Sequence, residues 1–111
     1  MGTVLINPKL NQLVSDMNKK FAESLNTAVF TTRYILEEIS PILYVYHHED
    51  DGAWQFSSIE ECSDSDIRLL SLDEIINIDS SVLELAELPL GGYAYRENKD
   101  SGWVIKYDDL E

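Results

Sequence analysis

The chain has 111 residues, of which 44% are hydrophobic and 26% are charged, and its net charge is −13 at pH 7. This length favours one domain over two, and so much negative charge argues against binding to nucleic acids or anionic membranes, which it would repel. The single cysteine, Cys62, excludes an internal disulfide framework and suits a reducing compartment. No signal-peptide pattern opens the chain and no apolar run approaches the roughly 20 residues that span a membrane, so we expect a cytoplasmic protein.

The acidic residues are concentrated in the middle of the chain. Residues 37–79 carry a net charge of −11, whereas residues 1–36 carry +2 and residues 80–111 carry −4. Such a field attracts a basic partner and raises its association rate more than its affinity. The plainer interpretation is that these acids keep the protein soluble.

The first predicted element is an amphipathic helix over residues 7–25. Asn7 is a good N-cap, and Pro8 is tolerated at the first helical position. Apolar residues then recur at steps of three and four, which is typical of a helix that packs one side against a core. They are Leu10, Leu13, Val14, Met17, Phe21 and Leu25.

Four strands and two short helices are predicted next. The strands are segments rich in β-branched and aromatic residues, and they cover residues 28–36, 42–48, 53–57 and 68–70. The helices cover residues 72–78 and 81–88. Each follows a capping box, formed by Ser71 with Glu74 and by Ser81 with Glu84.

Two similar β-hairpins flank the short helices, over residues 42–57 and 92–107. Residues 44–54 read YVYHHEDDGAW and residues 93–103 read YAYRENKDSGW, so each hairpin has Tyr-x-Tyr, a loop that ends in Gly, and a Trp. This similarity fits either a duplication or chance. The whole chain, residues 1–111, is thus predicted to be one α+β domain. It combines a mostly antiparallel sheet of about five to six strands, an N-terminal amphipathic helix and two short helices between two β-hairpins.

Each hairpin is expected to have a three-residue loop, because Asp suits the start of such a turn and Gly its left-handed end. The loops would be Asp50-Asp51-Gly52 and Asp100-Ser101-Gly102. This register pairs His48 with Trp54 and Lys99 with Trp103. Side chains alternate along a strand, so the tyrosines and the tryptophan of each hairpin would share one face. The shared faces would contain Tyr44, Tyr46, His48, Trp54 and Phe56 in the first hairpin, and Tyr93, Tyr95, Trp103, Ile105 and Tyr107 in the second.

No constellation of residues predicts catalysis or a bound metal. His47 and His48 are neighbours on a strand and point to opposite faces, so they do not easily hold one ion. Asp64 and Asp66 resemble the start of a calcium loop, but a third ligand and a glycine are missing. Cys62 lies in no nucleophile signature, and the common nucleotide-binding and hydrolase motifs are absent. We therefore predict no enzyme and no cofactor.

Two stretches, DDGAWQF and LSLDEIINIDSSVLELAELPLGGYAYRENKDSGW, resemble a bacterial domain of unknown function that is grouped with immunity-protein-like domains of polymorphic toxin systems. The order of elements carries the resemblance, which spans residues 28–107. The matching residues are Gly52, Trp54, Phe56, Leu72, Ile76, Asp79, Pro89, Gly91, Tyr95 and Arg96. Ala53 interrupts the Gly-Trp pair, and the loop after Phe56 is shorter than in that pattern. The resemblance implies an α+β fold, no established enzyme activity, and the binding of a toxin.

The predicted function is that of a small non-catalytic bacterial protein-binding module, immunity-like, whose acidic surface binds a basic protein such as a toxin. Its candidate contact residues are Glu49, Asp50, Asp51, Glu60, Glu61, Asp64, Asp66, Trp54, Trp103 and Arg96. One alternative is a metal-dependent or enzymatic accessory protein that uses His47, His48 and nearby acids. Another is a structural or homo-oligomeric domain. Neither nucleic acid nor a membrane is an expected partner.

Overall fold

The computed structural model describes residues 21–107, which contain six strands. They are β1 (Ala28–Thr32), β2 (Tyr44–His47), β3 (Trp54–Ser57), β4 (Ile67–Ser71), β5 (Gly92–Tyr95) and β6 (Val104–Tyr107). The strands form one sheet in the order β4-β1-β3-β2-β5-β6. Only the β1–β3 pair is parallel, and the other four neighbouring pairs are antiparallel. The α+β class and the mostly antiparallel sheet are confirmed, although the sheet is mixed.

The first predicted strand is interrupted by a helical turn, α1 (Arg33–Leu36). The strand ends at Thr32 because its hydroxyl accepts a hydrogen bond from the Ile35 backbone N–H at 3.3 Å and so caps this turn. Most of the predicted N-terminal helix lies outside the described residues, and the described part of it, residues 21–25, is not helical.

The helix α2 (Leu72–Ile78) has the predicted bounds and the predicted capping box. The Glu74 N–H donates to Ser71 Oγ at 3.1 Å, and the Ser71 N–H donates to Glu74 Oε1 at 2.8 Å. The second predicted helix is instead a 3-10 helix, Ser80–Leu85. Its cap is Asp79, whose carboxylate accepts from the Ser81 N–H at 3.0 Å. A further short 3-10 helix, Asp64–Asp66, precedes β4. No helix within residues 21–107 is long and apolar enough to cross a membrane.

One face of the sheet packs against α2 and the Ser80–Leu85 helix, and we call it the core face. Its buried sheet residues are Val29, Val45, Trp54, Phe56 and Ala94, and the helices contribute Leu72, Ile75, Val82 and Leu85; each is at most 1% exposed. Burying one such aliphatic side chain contributes about 1.5–3 kcal/mol. Phe21 extends this core and packs edge-to-face on Trp54, with ring centroids 4.9 Å apart.

The register of the first hairpin differs from the prediction by one residue. His47, not His48, pairs with Trp54, and residues 49–52 form a four-residue loop between His48 and Ala53. The His48 N–H donates to the Ala53 carbonyl at 2.8 Å and closes this loop, in which Gly52 has a φ of 73°. Because side chains alternate, a slip of one residue moves a whole strand to the other face. The predicted common face is therefore wrong: Trp54 and Phe56 lie on the core face, and Tyr44 and Tyr46 lie on the opposite face.

The second hairpin also has a longer loop than predicted, because Tyr95 pairs with Val104. Lys99 does not pair with Trp103. Instead, the loop wraps around Arg96, whose guanidinium donates to the Lys99 carbonyl at 3.2 Å and lies 4.2 Å from the centroid of the Trp103 ring. Buried donors need partners, so the guanidinium fixes the shape of this loop. The predicted face of this hairpin is likewise wrong, since Ile105 and Tyr107 pair with Ala94 and Gly92 on the core face whereas Tyr93 and Tyr95 lie opposite.

Candidate functional site

The face of the sheet opposite the core, here called the open face, carries two rows of register-paired side chains. The first row crosses all six strands and contains Leu69, Phe30, Gln55, Tyr46, Tyr93 and Lys106. The second row contains Ser57, Tyr44, Tyr95 and Val104. The buried residues of α1, α2 and the Ser80–Leu85 helix all belong to the core cluster on the other side. Within the described part of the chain, these helices therefore leave the open face uncovered.

Stacked rings hold the centre of the open face in place. Tyr46 stacks on Tyr93 at 5.9 Å between ring centroids and on His48 at 6.0 Å. Tyr93 in turn stacks on Tyr95 at 6.5 Å. Burial, followed by the charges of Tyr44 and Tyr93, raises the pKa of Tyr46 above its ordinary value of 10.0. Rings that are packed in this way lose little conformational entropy when a partner contacts them.

The open face also exposes aliphatic and aromatic groups that a solvated sheet face usually lacks. Leu69 is 62% exposed, Phe30 is 41% exposed and Val104 is 41% exposed. Ile59, in the loop that follows β3, is 72% exposed. Antiparallel sheets that face water on one side normally carry polar residues there. Exposed apolar side chains grouped on one face are typical of a site of protein interaction.

Acidic residues border this surface where two loops leave it. A groove of about 470 Å³ lies over β2 and β3, and Glu60 closes one side of it together with Tyr44 and Tyr46. A second groove, of about 420 Å³, is lined by Phe30 and by Asp50 and Asp51 from the β2–β3 loop. Aromatic rings beside carboxylates suit a cationic ligand, because the ring faces and the acids both attract positive charge.

The predicted acidic contacts occupy different places. Asp50, Asp51 and Glu60 border the open face as described, and Glu49, Glu61 and Asp64 are exposed residues that line neither groove.

Asp66 instead stabilises the fold. Arg33 Nε donates to Asp66 Oδ1 at 2.9 Å. This hydrogen bond, followed by one from the Ser63 backbone N–H, lowers the pKa of Asp66.

Three other predicted contact residues are structural. Trp54 is 1% exposed, and its indole N–H donates to Glu23 at 3.0 Å. Arg96 is 4% exposed, and Trp103 is half-buried with its ring over the guanidinium. The interior location of Trp54 and Arg96 removes both from the candidate contact surface. Large aromatic and arginine side chains are common in protein interfaces, but in this protein Trp54 and Arg96 are buried inside the fold.

The two histidines lie on opposite faces, as predicted. His47 stacks on Trp54 with ring centroids 4.0 Å apart, and its Nδ1 donates to the Leu88 carbonyl at 2.7 Å. His48 lies on the open face, where its Nε2 is 2.9 Å from Gln55 Oε1. Residues 21–107 contain no cluster of three or more His, Cys, Asp or Glu side chains that is suited to a metal ion.

Cys62 is a free thiol beside several acidic residues. It is exposed and lies in the acidic loop after β3. Desolvation, followed by the charges of Asp66 and Glu60, raises the pKa of its thiol. Because the thiolate is the nucleophilic form, this environment disfavours covalent catalysis by Cys62.

The tyrosines of the open face are candidate contact residues that the sequence pattern does not place there. The predicted hairpin registers put Tyr44, Tyr46, Tyr93 and Tyr95 on the same face as the tryptophans. The signal was present, since each Tyr-x-Tyr encloses a small apolar residue, Val45 or Ala94, that fits under a packed helix. Bulky rings on one side and small groups on the other indicate which side packs.

The chain matches no protein-family model, no curated protein and no solved structure.

Proposed function

We propose that this protein is a non-catalytic binding module that holds a basic polypeptide against the open face of its sheet. The observation that carries the proposal is the combination of half-buried tyrosines and exposed apolar side chains on one face with acidic loops at its border. Tyrosine supplies a large, rigid and amphipathic contact area and is enriched in protein interfaces.

Charge supports a basic partner. The chain has a net charge of −13, and residues 37–79, which contain both border loops, account for −11 of it. Complementary charge at the rim of an interface speeds association and excludes partners of the wrong sign. The apolar rows then supply the short-range affinity, because they lose contact with water when they are covered.

The resemblance to immunity-protein-like domains suggests one class of partner, a basic toxin domain. An acidic module that covers the cationic surface of such a domain acts by occlusion and needs no turnover. This role uses the same open face and the same border loops.

Fluorescence anisotropy with a labelled ten-residue peptide that alternates Leu and Arg tests the proposal. We expect binding that weakens as salt is added, and no binding of a matched peptide that alternates Leu and Glu. Tyr93→Lys places a positive charge in the open face and should weaken binding about tenfold or more. Tyr107→Lys is the matched control, because Tyr107 lies 39% exposed on the neighbouring strand but pairs with Gly92 on the core face. It should change affinity less than about twofold.

Equal effects of the two substitutions, or binding that salt leaves unchanged, would contradict the proposal. Circular dichroism of both variants controls for folding. A concentration-dependent dimer that Tyr93→Lys abolishes and Tyr107→Lys preserves would assign the open face to a second copy of the chain instead.

A further inference from the structure

The groove over β2 and β3 contains a carboxylate that is only half satisfied. Glu60 Oε2 accepts a hydrogen bond from the Ser40 hydroxyl. Glu60 Oε1 is buried and has no hydrogen-bond partner among residues 21–107. The Ser58 hydroxyl, in the lining of the same groove, is also buried and also has no hydrogen-bond partner among residues 21–107. Buried polar atoms without partners are rare in folded proteins, so two in one groove call for an explanation.

The walls of this groove suit a flat cationic group. Tyr44 and Tyr46 line it with aromatic rings, and Ile59 adds an aliphatic edge. Among residues 21–107, no lysine or arginine lines the groove, and the basic group that does, His48, has its Nε2 engaged with Gln55. Within this part of the chain, the carboxylate of Glu60 thus has no cationic partner in a place where aromatic rings also favour one.

We propose that this groove receives an arginine side chain of the basic partner, an inference that rests on the proposed function. A guanidinium stacks on a tyrosine ring through its plane and donates several hydrogen bonds at its edge, where Glu60 and Ser58 supply acceptors. The Ser40 hydroxyl donates a hydrogen bond to Glu60. If the Glu60 side chain rotates toward the groove, it loses this hydrogen bond and gains a charge-assisted pair with the guanidinium. Lysine, a compact and strongly hydrated charge, gains less from the same walls.

The first test uses the unaltered protein, so it does not depend on the folding of a variant. Backbone amide signals are followed by NMR while N-acetylarginine amide or N-acetyllysine amide is added at millimolar concentrations. We expect the arginine derivative to shift the amides of Tyr44, Gln55, Ser57 and Ile59, and the lysine derivative to shift them several-fold less at the same concentration.

The second test compares two neighbouring acids. Glu60 lines the groove, whereas Glu61 is exposed and does not line it, so Glu60→Gln and Glu61→Gln remove the same charge from adjacent positions. With the Leu–Arg peptide, Glu60→Gln should weaken binding about tenfold, and Glu61→Gln less than about twofold. With a Leu–Lys peptide, the difference between the two variants should shrink.

The outcomes separate the groove from the wider proposal. If the Leu–Arg peptide binds and Tyr93→Lys weakens it, but the two glutamate variants behave alike and the arginine derivative shifts no groove amide, then the arginine assignment is wrong and the binding face stands. If the peptide does not bind, the proposed function fails. Shifts of the groove amides by the arginine derivative would in that case still establish a guanidinium site.

Discussion

Replacing Arg96 with methionine removes a guanidinium that several distant parts of the chain share. Its side chain is 2% exposed. Its nitrogen atoms donate to the Ile42 carbonyl and to Ser81 Oγ, each at 3.0 Å, and to Asp79 Oδ2 at 2.6 Å. These contacts join the start of β2 to the junction between α2 and the Ser80–Leu85 helix. The loss of Arg96 therefore affects the sheet and the helical layer together.

The expected loss of stability depends on the polar groups that Arg96→Met leaves without a partner. Removing one partner of a buried ion pair typically costs about 3–5 kcal/mol, because the other charge stays buried and unpaired. Asp79 is 24% exposed, so water relieves part of this cost, whereas the buried Ile42 carbonyl loses its donor and adds about 1 kcal/mol or more. We expect Arg96→Met to lower the free energy of unfolding by about 4 kcal/mol, a large part of the roughly 5–15 kcal/mol of a typical domain.

Urea unfolding followed by tryptophan fluorescence and circular dichroism measures this loss. Arg68→Met is the matched control, because Arg68 donates only to the nearby carbonyls of Ser65 and Ile67 at an exposed site, and it should cost less than about 1 kcal/mol. Arg96→Lys should recover only part of the lost unfolding free energy, since one ammonium group cannot reach all the acceptors that the guanidinium contacts. A loss below about 1 kcal/mol for Arg96→Met, or equality with Arg68→Met, would refute the reasoning.

Three further predictions concern stability. Burial raises the pKa of Asp79, but hydrogen bonds from Ser81 and Arg96 outweigh this effect, so the pKa lies below the ordinary value of 3.8. The stabilisation that Asp79→Asn removes should therefore be complete above pH 3.8 and should disappear as the pH falls through the pKa of the folded state. Unfolding curves of both proteins at several pH values measure this dependence. Gly52→Ala should cost about 1 kcal/mol because φ is 73°, whereas Gly102→Ala, with no atom within 4 Å of the new Cβ, should be near neutral in the same urea assay. Ser71→Ala removes the cap of α2 and should lower the thermal midpoint by an amount equivalent to about 1 kcal/mol, and an unchanged midpoint would contradict the role of the cap.

Local signals predicted the elements that depend on local chemistry. The bounds of α2 were predictable because the capping box of Ser71 and Glu74 is a contact within one turn. Strand positions were predictable to within a few residues from β-branched and aromatic content. The end of β1 at Thr32 was missed because a threonine side chain there favours a helical turn over continued extension.

The errors arose where distant groups set the geometry. The Asp50-Asp51-Gly52 sequence fits a three-residue and a four-residue loop equally well, and only packing against the helices decides which face holds Trp54. Arg96 reshapes the second hairpin through partners as far away as Ile42, which no local pattern reveals. The open face was missed for the same reason, because its tyrosines were assigned to the side of the tryptophans.

The central claim is that a basic polypeptide lies on the open face, and mapping the backbone amides by NMR during addition of the Leu–Arg peptide tests it most directly. The account predicts shifts that follow the two tyrosine rows and the bordering loops, centred on Tyr46 and Tyr93. Shifts confined to α2 and the Ser80–Leu85 helix, on the other side of the sheet, would contradict it.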